Sequence, residues 1–167
     1  IESGLDWERV VGQAVDGGVA PLVYDCLRED SRVPEATRSE LRSAYFRTTA
    51  ENIRYLEFAG KLFSTCNDWC IDVIALRGIA FAESLYSEIA LRPISDIDVL
   101  IRPVDEGRLA SLLQGLGYWP VSGHPHQWTN SSVVIDVHTD LVAADRIASR
   151  NRAVQIDMDA IWESSVP

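Results

Sequence analysis

The stretch Ile94-Ser95-Asp96-Ile97-Asp98-Val99-Leu100-Ile101 sets two aspartates inside an apolar, partly β-branched run, and its reading decides the fold. By length and composition it is a buried strand from about Ser95 to Ile101. Residues two apart on a strand face the same way, so Asp96 and Asp98 crowd together where Asp is disfavoured and its desolvation is costly. A cation is needed there. A divalent metal held by two hard oxygen ligands offsets both the like-charge repulsion and the buried charge.

Upstream of this strand, Ile71, Val73, Ile74, Ala75 and Leu76 read as a first short buried strand, ended by Arg77-Gly78. Ile79 to Tyr86 fits a short helix, followed by a loop from Ser87 to Pro93. Downstream, Pro103 precedes a helix with Asp105 and Glu106 in its first turn and Leu109, Leu112, Leu113 and Leu116 on one face. Gly115 and Gly117 stop it. Tyr118 to Val121, Gln127 to Thr129 and Val133 to His138 read as further strands, the last two antiparallel across an Asn130-Ser131 turn. This alternation of strands and helices predicts a mixed sheet with packed helices, an α+β fold.

The N-terminal part is helical. Trp7, Val10, Val11, Ala14 and Val15 keep helical spacing up to Gly17-Gly18, and Pro21 opens a second short helix. After Pro34, the positions Leu41, Tyr45, Thr48, Asn52, Leu56, Ala59, Phe63 and Cys66 trace one long amphipathic helix, expected to pack against the sheet. Ile156, Met158, Ile161 and Trp162 suggest one short closing element.

Composition bounds the function. With 167 residues and 47% hydrophobic content the chain can bury a real core. Its formal charge of -10 argues against broad attachment to nucleic acid or anionic membrane, so any phosphate must be gripped locally. Cys26, Cys66 and Cys70 match no zinc spacing and read as reduced and structural, with Cys66 and Cys70 neighbours on a helical face. No run has the length of a membrane span and no secretory leader opens the sequence, so a cytoplasmic protein is the default.

Val133-Val134-Ile135-Asp136-Val137-His138 repeats the first anomaly, a carboxylate inside an apolar strand, which by itself is either a functional acid or a buried Asp satisfied by backbone donors or an Arg. If this strand lies beside the Asp96-Asp98 strand, three carboxylates converge at one end of a sheet, as two Mg²⁺ ions flanking a transferring phosphoryl group require. Gly78, at a strand-to-helix turn, either lets phosphate oxygens approach free helix amides, with Arg77 adding charge, or simply makes a tight turn. Arg92 either reaches a phosphate or pins its loop to the acids, and Ser95 either touches a phosphate or bonds backbone.

These phrases carry a resemblance. A glycine turn after a strand, a short helix, the alternation around Asp96 and Asp98, and a later Asp136 resemble the polymerase-beta-type nucleotidyltransferase superfamily. More closely, Leu76-Arg77-Gly78, Leu85-Tyr86, Leu91 to Leu100, Gly117-Tyr118 and Asp136-Val137-His138 resemble the bacterial group called uncharacterised nucleotidyltransferase. Val19-Ala20-Pro21-Leu22 and Val33-Pro34 suit that group too.

The resemblance implies a helical region over 1–69, a nucleotidyltransferase-like catalytic core over 70–140, and an extension over 141–167 that relatives would continue into a helical segment. It implies Mg²⁺-dependent transfer of a nucleoside monophosphate from ATP or another NTP to a small-molecule or protein acceptor bearing a hydroxyl, with two Mg²⁺ ions and Mn²⁺ as a substitute. Asp96 and Asp98 would hold the triphosphate's metal. Asp136 would be the third ligand, on the catalytic metal, helping deprotonate the acceptor for attack on the α-phosphorus. The cofactor side would involve Arg77, Gly78, Arg92 and Ser95. The sequence departs from the pattern at Ile79, where the superfamily's turn carries a serine, and at Arg77, where the closer group has a lysine.

Other readings share some of these residues. His124, His126 and His138 with Asp136 can be drawn as a zinc site, whereas a strand puts His138 on the face of Asp136 as a supporting partner or acceptor contact. A nucleotide- or partner-binding protein with decayed chemistry, and a metal-dependent phosphohydrolase acting on water, are the alternative functions.

Overall fold

The computed structural model describes residues 4–141 and 156–165. Among these the chain is α+β and divides into two compact units, residues 4–57 with 78–95, and residues 58–77 with 96–141 and 156–165. The segment Gly78–Ser95 groups with the N-terminal helices in the first unit.

In the first unit, α1 (Trp7–Asp16) and α2 (Ala20–Leu27) pack their Val11, Ala14 and Ala20 against Leu41 and Ala44 of α3 (Glu35–Asp68). Asp6 caps α1 by accepting from the Arg9 amide at 3.1 Å, and Gly18, at φ +67°, takes the left-handed turn that ends it. Tyr45 packs on Ala90 and Leu91 of the 3-10 turn Ile89–Leu91, and its ring lies 5.2 Å from that of Tyr24.

Asn52 binds that turn to the helix. Fully buried, it donates from Nδ2 to the carbonyls of Ile89 and Arg92 (2.8 Å to the latter) and accepts from the Ile94 amide at 3.0 Å. A loop rich in buried backbone groups has no ladder to satisfy them, and one amide side chain does so here. Tyr55, one turn further along α3, donates to the Ser95 carbonyl at 2.7 Å.

The second unit holds a five-stranded mixed sheet, built from β1 (Val73–Ala75), β2 (Ile97–Ile101), β3 (Trp119–Val121), β4 (His124–Thr129) and β5 (Val134–His138). The strand order is β1-β2-β5-β4-β3, with β2 and β5 parallel and the other neighbours antiparallel. β1 is shorter than expected and only half-buried, since an edge strand pairs on one side. β2 is buried throughout but starts at Ile97, where its ladder to β5 begins, so Asp96 precedes the strand instead of lying on it. β4 reaches back to His124, beyond the expected Gln127.

After β1 the chain enters α4 (Arg77–Ser84), and after β2 a 3-10 turn, Pro103–Asp105, leads into α5 (Glu106–Gly115), which buries Leu109, Leu112 and Leu113. Leu109 and Ala110 share a pocket with Trp128 and Val137, so α5 lies over the sheet face that carries Val137. Strand alternation then turns Asp136 and His138 to the opposite face. Arg108 of α5 donates to Asp105 at 2.7 Å and to the carbonyls of Trp69 and Cys70 at the end of α3, while Arg102 stacks 4.5 Å over Trp162 of the helix Met158–Ser164. Among the described residues no helix is long and apolar enough to cross a membrane.

Two outcomes follow from this packing. Asn52→Ala strips partners from two carbonyls and an amide in a buried site, so urea unfolding should show a loss of about 3 kcal/mol, whereas exposed Asn67→Ala should change little. The three cysteines are unpaired; Cys26 and Cys70 are exposed, and burial pushes the Cys66 thiol up to about 11. Cys70 lies beyond the end of α3, so it is not the helical neighbour of Cys66 that the spacing suggests. A thiol reagent at pH 8 should therefore label two cysteines in the native chain and a third only in denaturant. Because the folded thiol titrates above its ordinary 9.0, its stabilising effect holds below that pH and fades as pH rises towards 11.

Candidate metal centre

Parallel pairing of β2 and β5 sets Asp98 opposite Asp136 and Leu100 opposite His138. Cross-strand partners share a face and residues two apart on one strand share it too, so Asp98, Asp136 and His138 converge. His138 Nε2 lies 2.8 Å from Asp98 Oδ1 and 3.5 Å from Asp136 Oδ2. One donor atom from each residue falls within 4.8 Å of the other two.

The three side chains are nearly sealed from solvent, with exposures of 4%, 8% and 5% for Asp98, Asp136 and His138. Two carboxylates at such separation repel by about 3 kcal/mol or more at an effective dielectric near 20. Each also carries a desolvation penalty. Arg77 offsets part of this, donating from Nη1 to Asp98 Oδ1 at 2.9 Å, yet its own side chain is 61% exposed. Asp98 Oδ1 thus meets an imidazole and a guanidinium at once, while the guanidinium keeps access to solvent.

Arg77 is held in an uncommon backbone conformation. Its φ is +49°, the left-handed region that a non-glycine residue occupies at an energetic cost. Gly78 follows with no such angle, and a Cβ added there would meet only the Ile94 side chain at 3.8 Å, ordinary contact. The unusual geometry of this turn therefore falls on the arginine, one residue before the glycine singled out in the sequence.

The other expected positions are distributed as follows. Asp96 is half-buried in the bend before β2 and lies outside the trio. Gly78, Arg92 and Ser95 belong to the first unit, where the carbonyls of Arg92 and Ser95 accept from Asn52 and Tyr55. His124 is exposed on β4, and neither it nor His126 joins the trio. Gln127 pairs with Asp136 across β4 and β5 and so shares its face. Nothing in the linear sequence marks Gln127, because its place depends on strand register.

Two carboxylates and an imidazole, buried together and facing one point, are a donor set that a divalent cation fits. No curated protein and no solved structure matches the chain. A family model described as uncharacterised nucleotidyltransferase does match, over residues 3–167. Spanning nearly its whole length, that match places the chain in the uncharacterised nucleotidyltransferase family.

Proposed function

We propose that this nucleotidyltransferase-family chain moves a nucleoside monophosphate from an NTP, ATP among them, to a hydroxyl-bearing small molecule or protein side chain, with Mg²⁺ or Mn²⁺ bound at Asp98 and Asp136. The observation that carries this reading is the register of Asp98 against Asp136 on parallel strands, both buried, in a chain of this family. When bound, divalent ions would neutralise the triphosphate and lower the pKa of the acceptor hydroxyl.

The protein's residues then divide the work. Asp98 and Asp136 fix the ion positions, since neither carboxylate can swing away from its strand. Asp96, in the bend preceding β2, is a third carboxylate for the triphosphate's ion. Arg77 is a mobile cation: its exposed guanidinium can leave Asp98 when that oxygen turns to a metal and follow the negative charge to a phosphate. Asp136 serves the acceptor side, where its carboxylate helps take the hydroxyl proton. An NTP-using enzyme with unpaired thiols suits the cytoplasm.

Calorimetric titration of each NTP with and without Mg²⁺ or Mn²⁺ tests the proposal. Binding should require the ion and weaken by about tenfold or more in Asp98→Asn and Asp136→Asn. Ion-independent binding that persists in both variants would defeat it, and release of nucleoside monophosphate to water without an acceptor would turn it into a hydrolase. Arg77→Met should lower ion-dependent NTP affinity by about 2 kcal/mol through loss of a charged phosphate contact, with stability lowered by about 1–3 kcal/mol because the buried Asp98 carboxylate loses a charged partner.

A further inference from the structure

His138 is not needed to complete an acidic metal site, yet it is placed as a ligand would be. Donor atoms sharing an ion at about 2.1 Å lie about 3.0 Å apart when adjacent and about 4.2 Å apart when opposite. The separations of Nε2 from Asp98 Oδ1 and Asp136 Oδ2, 2.8 and 3.5 Å, lie close to or within that span. The imidazole is 5% exposed and sits two residues after Asp136 on one rigid strand, so no backbone movement is required to aim it at the carboxylates. It also carries the nitrogen that changes the ion's chemistry. Mg²⁺ demands oxygen and gives up its waters reluctantly, whereas imidazole suits first-row transition ions.

We infer that His138 is a third protein ligand and that its nitrogen tilts the centre from Mg²⁺ towards Mn²⁺ or a similar first-row ion. This rests on the metal-dependent reading above and specifies its cofactor. The competing account is a His–Asp hydrogen bond that only buttresses Asp98. The two differ in what touches the ion.

The deciding experiment loads the full chain with MnCl₂, without nucleotide, and records electron paramagnetic resonance with electron spin echo modulation, followed by competition with MgCl₂. Bound Mn²⁺ should show the nitrogen coupling of a directly coordinated imidazole. Its preference over Mg²⁺ should fall by about tenfold in His138→Gln, together with that coupling. Asp98→Asn should abolish uptake, which fixes the signal to this centre. Mn²⁺ bound at Asp98 without nitrogen coupling, or with the same ion preference in His138→Gln, overturns the inference and leaves the carboxylate site standing. Absence of any divalent-ion binding, with or without NTP, removes the metal-dependent reading and this inference together. Should His138→Gln fail to fold, the nitrogen coupling in the unaltered chain decides alone.

Discussion

The candidate centre depends on the parallel pairing of β2 with β5. Four consecutive residue pairs lock the two strands, and the second of them sets one aspartate directly beside another. A slip of one residue would turn Asp136 to the α5 face and put Ile135 or Val137 in its place. The register is held by apolar neighbours on the other face: Ile97, Val99 and Ile135 are fully buried, so any slip would expose them. Core packing on one side of the sheet thereby fixes charge placement on the other.

That placement is unfavourable for a protein alone. Asp98 meets one imidazole and one half-solvated guanidinium, with the near-sealed carboxylate of Asp136 beside it, in a chain whose formal charge is already -10. A purely structural role for this pair would be better met by apolar side chains of similar size. Charge is kept where charge is costly, and Arg77, at positive φ and exposed at its tip, is the cation that Asp98 meets there.

Asn52 is the matching constraint in the other unit. It organises the turn from Ile89 to Ile94, which leads along the chain into Asp96 and β2. Its position within the helical period of α3 made it look like one more buried spacer, because a heptad-like pattern records that a residue faces inward and not what it meets there. Only the fold shows that three backbone groups of a loop some forty residues away end on this one side chain.

The order of strands and helices, the long α3, the lone carboxylates in apolar runs and the shared face of Asp136 and His138 were all legible from residue type and spacing, since local periodicity encodes them. Strand ends were less so: alternation alone put Asp96 on β2, and the ladder begins one residue later. Which strands become neighbours, that β2 and β5 run parallel, and that Asp98, Asp136, His138 and Gln127 meet on one face were decided by tertiary structure. Partner choice and register arise from contacts between segments distant in the chain, and such contacts leave no periodic mark in either segment.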